Sequence, residues 1–201
     1  SGVYISEDDG STFTELFTKN DFPGTNLIDL KLDDDNNIYV TSDAGLHIST
    51  NNGSSFSTKG VNQGLGSNSA VKVWISTTDR IYVYGENYFA TSTDNGQSYT
   101  SINNLAGVPI DIFWAVIIDV YESNNALYIS TSTRGLFVST DQGQSFTRVT
   151  ENQGLSSSFL KGSIVEGNGK IYLATSSGVN YSEDNGSSFA LVTVGDEELD
   201  G

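Results

Sequence analysis

SEDDGSTF at residues 6–13, STNNGSSF at 49–56, STDNGQSY at 92–99, STDQGQSF at 139–146 and SEDNGSSF at 182–189 are five versions of one octapeptide. Each reads Ser, any residue, Asp or Asn, any residue, Gly, any residue, Ser or Thr, then an aromatic. The copies start 43, 43, 47 and 43 residues apart, and a fixed period of that size names a repeat architecture before any local reading does. A short Asp or Asn beside Gly, set between two alternating apolar runs, is a hairpin signal: Gly supplies positive φ and the side chain bonds nearby amides. Asp8, Asp94, Asp141 and Asp184 are therefore expected to pin their own turns. Asn51 stands in the second copy, a change that a hydrogen-bonding turn tolerates and a shared catalytic carboxylate would not. The closing aromatics (Phe13, Phe56, Tyr99, Phe146 and Phe189) are expected to start the next strand and pack beside the turn.

Working outward, the stretch before each octapeptide repeats one order of alternating segments. Residues 27–32, 38–41 and 46–49 read as strands A, B and C, and strand D begins at Phe56. The same order recurs at 70–75, 81–84 and 88–92, then at 114–121, 127–130 and 136–139, and last at 161–165, 171–175 and 179–182. No segment shows a helical period, so the chain reads as almost entirely β. It opens on strand C, giving five C–D pairs but four A–B pairs. A ring with one half-blade, a segment of a larger ring, and completion by another chain all satisfy that count.

The octapeptides resemble the Asp-box, or BNR, repeat of sialidases, sortilin-like receptors, xyloglucanases and a photosystem II assembly factor. The resemblance implies an all-β β-propeller of four-stranded antiparallel blades, about five visible and one incomplete, over residues 1–194. Residues 195–201 then form an acidic tail or linker. The fifth repeat also resembles the repeat of the periplasmic propellers of two-component sensor regulators, which place Gly-Leu before strand A. Here that element is Asn62, Gln63, Gly64 and Leu65, echoed by Asn152, Gln153, Gly154 and Leu155. It reads either as an entry turn into each blade or as part of a ligand surface opposite the octapeptides.

Composition narrows the setting. With 25 acidic against 9 basic residues and a net charge of −16, the chain repels phosphate backbones and anionic membranes, so nucleic acid is not expected as a partner. No cysteine is present, which removes disulfides, thiolate metal sites and cysteine nucleophiles. No run of about twenty apolar residues exists to enter a bilayer. The chain lacks methionine even at position 1 and reads as a mature or excised piece. Acidity with abundant Ser, Thr, Asn and Gly suggests a secreted or cell-surface bacterial protein.

Candidate chemistry is thin. A sialidase needs three converging arginines, and Arg80, Arg134 and Arg148 are assigned to different parts of the blades. Other glycosidases need two carboxylates roughly 5–10 Å apart. Asp29, Asp111 and Asp119 lie on or near strand A, the innermost strand implied by the resemblance. An ion pair between Asp29 and Lys72 of the next repeat is the simpler use of Asp29. Asp33, Asp34 and Asp35 cluster in one turn, where calcium is the cation that flexible oxygen ligands suit, although the other turns do not repeat the cluster and solvation accounts for it. No other cofactor is indicated. His47, alone on strand C, builds neither a zinc site nor a triad. Trp74 and Trp114 are suited to stacking on a sugar ring or to the core, and the apolar linker at 105–113, with Phe113, is suited to a binding loop or a seam between blades.

The reading is a non-enzymatic extracellular binding or scaffolding propeller. It is expected to recognise a carbohydrate or a protein opposite the octapeptides through Asp111, Phe113, Trp114, Trp74, Asn62, Gln63, Asn152 and Gln153. A glycoside hydrolase with a carboxylate pair and a structural spacer of a larger surface protein are the alternatives. Self-association through open blade edges is a further expectation.

Overall fold

A computed structural model of the chain describes residues 2–21, 26–68, 72–85, 88–101 and 116–193. It divides into two compact units, residues 1–103 and 104–201. The first unit opens with a two-stranded sheet, β1 (Gly2–Ile5) and β2 (Thr14–Thr18). A four-stranded sheet follows, made of β3 (Leu27–Leu32), β4 (Ile38–Ser42), β5 (Gly45–Ser49) and β6 (Ser57–Lys59). The next comprises β7 (Lys72–Ile75), β8 (Ile81–Gly85), β9 (Tyr88–Ser92) and β10 (Thr100–Ser101). The second unit holds β11 (Ile117–Ser123), β12 (Ala126–Thr131), β13 (Gly135–Ser139) and β14 (Thr147–Val149) in one sheet. Its other sheet is β15 (Leu160–Gly167), β16 (Lys170–Thr175), β17 (Gly178–Ser182) and β18 (Ala190–Leu191).

Every pairing is antiparallel between chain neighbours, the up-and-down order of propeller blades. The middle strands β4, β5, β8, β12 and β13 are buried on both faces, whereas β16 and β17 of the last blade keep one face partly exposed. In the first unit, Tyr39, Leu46 and Ile48 of one blade pack against Val73, Ile81, Val83 and Ala90 of the next. In the second, Tyr128, Leu136 and Val138 pack in the same way against Ile164, Ile171 and Leu173. Short turns make such narrow sheets feasible. The fourth and fifth octapeptide residues both take left-handed φ, as at Asn52 (55°) and Gly53 (81°), the geometry of a tight primed hairpin. Asn124 and Asn125 do the same between β11 and β12, at 50° and 62°.

The first strand is irregular in three of the four four-stranded blades, β7 being the regular one. Register slips occur between Leu27 and Asp29, between Ile117 and Asp119, and between Leu160 and Ile164. Such bulges re-aim a side chain relative to the pleat. Sequence positions 111, 113 and 114, the whole apolar linker at 105–113 and the acidic tail at 195–201 lie outside the described residues. Among the described residues no helix is long and apolar enough to cross a membrane.

Candidate functional site

Each octapeptide is a closed hydrogen-bond knot. In the third copy Ser92 Oγ donates to Asp94 Oδ1 (2.8 Å) and accepts from Gly96 N (3.0 Å), while Ser98 N donates to Asp94 Oδ1 (2.9 Å) and Ser98 Oγ to Asp94 Oδ2. The first, fourth and fifth copies repeat it around Asp8, Asp141 and Asp184. Asn51 makes the same set, its Nδ2 donating to Ser55 Oγ (2.8 Å) where an aspartate would accept. Donors aimed at the ionised carboxylate lower its pKa. The Thr12 hydroxyl and N–H hold Asp8 down to about 2, and Ser98 and Ser145 do the same for Asp94 and Asp141. Burial opposes the effect at Asp184, but Ser188 and Ser182 still leave it lowered. A carboxylate so saturated and so acidic is suited to holding a turn rather than to moving protons.

The closing aromatic stands one residue ahead of its strand, not in it. Its N–H is used elsewhere: Tyr99 N donates to Gln63 O (2.7 Å) and Phe189 N to Gln153 O (2.8 Å). The Asn-Gln-Gly-Leu elements are thus 3₁₀ turns (Val61–Gln63 and Glu151–Gln153) docked onto the end of the following octapeptide, in contrast to their expected place on the opposite face. The last strand before each turn is only three residues long, so the chain leaves the blade edge early and crosses to its neighbour. Gln63 Oε1 accepts from Gly60 N and Gln153 Oε1 from Thr150 N, each at 2.9 Å, closing the turn on itself. Gly64 and Gly154 end the turns at φ 94° and 93°, and a Cβ there would lie 1.9 and 2.0 Å from the carbonyl oxygens of Tyr99 and Phe189. Asn62 and Asn152 remain exposed.

The strand-A carboxylates have parallel roles. Asp29 Oδ2 accepts from Val73 N (3.2 Å) and Asp119 Oδ2 from Ile164 N (2.8 Å). Each reaches from the first strand of one blade to the first strand of the next, 44 and 45 residues along. The partner recorded for Asp29 across the seam is a backbone amide; the sequence suggested the Lys72 ammonium. Glu166, not singled out in the sequence, accepts from Tyr121 OH (3.2 Å) and Ser123 Oγ across the seam between β11 and β15.

Asp33 closes the β3–β4 turn. Its Oδ1 accepts from Asp35 N (3.0 Å) and Asn37 N (2.8 Å), its Oδ2 from Asn37 Nδ2 (2.8 Å) and Tyr39 OH (2.9 Å). Partial burial works against ionisation there, yet these donors leave its pKa lowered. Asp34 and Asp35 are exposed beside it. Among the described residues no three His, Asp or Glu side chains are gathered as a metal site. Trp74 is half-buried and lies 5.6 Å from the Tyr82 ring at 38°. Arg148 Nε donates to Arg134 O (2.7 Å) in the second unit, and Arg80 belongs to the first.

His47 is wholly buried. Its Nε2 lies 2.7 Å from Ser42 Oγ and its Nδ1 2.9 Å from Thr58 Oγ1. Desolvation pushes its pKa down to about 4, against a small opposite pull from Asp43. Hydroxyls on both nitrogens and no route to solvent make this a core polar cluster. Asn180 holds the equivalent position in the last blade, also wholly buried, with Oδ1 accepting from Ser156 Oγ at 2.7 Å. A polar residue in an apolar column of the repeat is the signal by which both can be found.

The fold is that of β-propeller proteins. The extracellular domain of a hybrid two-component system of B. thetaiotaomicron superposes with TM-score 0.67 at 18% identity, over 93% of this chain and 25% of that one. An ancestral GH74 enzyme gives 0.64 at 21% identity, over 86% of this chain and 25% of the enzyme. YCF48 bound to D1 peptide gives 0.63 at 11% identity, over 93% of this chain and 59% of YCF48. The chain therefore spans about a quarter of the length of the first two. No protein-family model matches it, and no curated protein does.

Proposed function

We propose that the chain is a non-enzymatic binding or scaffolding module displayed outside a bacterial cell, holding a carbohydrate or protein ligand on the side of its blades away from the octapeptides. The observation that carries this reading is the use of Asp29 and Asp119. The two described aspartates on the first strands of the blades each give an oxygen to the backbone of the next blade, a positioning role that catalysis would have to break. An extracellular sensor domain and a peptide-bound propeller among the similar structures fit a recognition role. The proposed contacts are Trp74, with Asp111, Phe113 and Trp114 from the segment before β11, while the turns that carry Asn62, Gln63, Asn152 and Gln153 close onto the octapeptides instead; calcium is not required by the reading.

The test is titration of soluble plant and bacterial polysaccharides, and of a peptide library, into the chain by calorimetry, with reducing ends measured in the same samples. Saturable binding that Trp114→Ala or Trp74→Ala weakens at least tenfold, without new reducing ends, is the expected result. Release of reducing ends that Asp29→Asn or Asp119→Asn abolishes would replace the reading with a glycoside hydrolase. A chain that binds nothing in either panel would be a spacer.

A further inference from the structure

The dipeptide Asn-Gly occurs four times, at 52–53, 95–96, 168–169 and 185–186. In every copy the asparagine is exposed and left-handed, with φ between 53° and 56°. Such pairs carry a chemistry of their own, because a glycine nitrogen has no Cβ beside it to keep it from the preceding side-chain amide. Whether the attack occurs depends on that nitrogen being free and its peptide plane being able to turn.

The fold treats the four pairs differently. In three of them the first serine of the octapeptide takes the glycine N–H. Gly53 N donates to Ser49 Oγ (2.9 Å), Gly96 N to Ser92 Oγ (3.0 Å) and Gly186 N to Ser182 Oγ (2.8 Å). The same glycines are packed in place: a Cβ on them would lie 3.3, 2.5 and 2.7 Å from Leu16, Ile48 and Tyr128. The fourth pair is the two-residue turn between β15 and β16, spanned by the pairing of Gly167 with Lys170. Among the described residues nothing accepts from the Gly169 N–H, and nothing lies within 4 Å of where its Cβ would stand. This turn is open in every four-stranded blade, since Asn36, Asp79 and Asn124 are exposed at the corresponding turns.

We propose that Asn168 is a site of spontaneous deamidation and isoaspartate formation, and that the octapeptide hydrogen bonds protect the other three asparagines from the same reaction. Gly169 N loses its proton to solvent base and bonds to Asn168 Cγ, and the side-chain nitrogen leaves as ammonia after taking a proton from water. The cyclic imide so formed takes up one water. Opening at Cγ restores the original main chain with an aspartate at 168, and opening at the main-chain carbonyl leaves an isoaspartyl link. The sum is amide plus water to acid plus ammonia, with no oxidant or cofactor. The isoaspartyl link lengthens the main chain by one carbon inside a two-residue turn. Either product sets a new carboxylate two residues from Lys170, whose Nζ holds Glu183 Oε1 at 2.6 Å.

The experiment holds the intact chain in mildly alkaline buffer and follows its tryptic peptides by mass spectrometry, with the aspartate and isoaspartate forms resolved by chromatography. Residues 162–170 form one such peptide, which isolates Asn168 from the other pairs. Asn168 should react at least about fivefold faster than Asn52, Asn95 or Asn185, the equivalent of one hydrogen bond. Asn124, left-handed in the same kind of turn but followed by Asn125, should stay intact. Gly169→Ala, whose methyl group meets no neighbour in the fold but hinders the nitrogen, should suppress the loss at Asn168. In urea, where the turns are gone, the four rates should converge. Equal rates in the folded chain, fastest loss at an octapeptide, or an order that persists in urea would each overturn the proposal.

Discussion

Acidification should destabilise the first unit through one buried group. His47 is the only histidine in the chain and has no solvent-accessible surface. Its pKa lies at about 4 in the fold against about 6.5 in an unfolded chain. The folded state binds fewer protons over that interval, so stability is complete above pH 6.5 and falls as pH drops toward 4. At about 1.4 kcal/mol per unit, the loss between pH 7.5 and 4.5 is on the order of 2–3 kcal/mol. His47→Phe places in this blade the residue type that Phe137 provides at the same register position two blades on. The substitution strands the Ser42 and Thr58 hydroxyls and should cost about 1–3 kcal/mol at pH 7.5, but it removes the titration. The gap between the two proteins should therefore narrow by about 2–3 kcal/mol on going to pH 4.5. Urea unfolding at four pH values measures the gap, and the imidazole C2–H resonance gives the pKa directly. A midpoint near the ordinary histidine value, or a gap that does not change with pH, would refute the argument.

Gly154→Ala, at φ 93° and with a Cβ that would meet Phe189 O at 2.0 Å, should lower unfolding stability by more than the ~1–3 kcal/mol of backbone strain alone. Gly169→Ala, at φ 72° with nothing within 4 Å of its Cβ, is the control and should show the strain without the clash. Asp119→Ala should cost about 1.5–3 kcal/mol, the worth of a hydrogen bond to a charged group, and should speed hydrogen exchange at the Ile164 amide first. Asp94→Asn should be better tolerated than Asp94→Ala, because Asn51 already performs that part. The stabilisation from Asp94 is complete above pH 4 and disappears as pH falls to about 2, so thermal melts of the Asn variant should lack that acid-dependent component.

The legible part of this chain is what the period repeats. The five turns and the strand order follow from local chemistry, and residues 27–32 and 88–92 coincide with β3 and β9. What went unread depends on neighbours one repeat away. The 43-residue period puts Asp29 and Lys72 at corresponding positions, but the bulges that aim Asp29 and Asp119 at backbone amides 44 and 45 residues later leave no local mark. The Asn-Gln-Gly-Leu turns were visible as turns; their docking depends on how early the preceding strand stops. Nothing near His47 in the sequence announces Thr58 as its partner, since that contact exists only once β5 and β6 are paired.

The bonds from Tyr99 and Phe189 to the turns before them also set where the polypeptide can be cut and rejoined. The sequence repeats from octapeptide to octapeptide, but a piece excised on that boundary would carry off a turn and leave behind the N–H that completes it. Residues 60–99 and 150–189 contain both halves: the glutamine-closed turn at one end and Tyr99 or Phe189 at the other. A recombinant chain lengthened by duplicating either of those stretches keeps every such bond inside one exchanged cassette, whereas a graft from octapeptide to octapeptide depends on a bond formed across its splice.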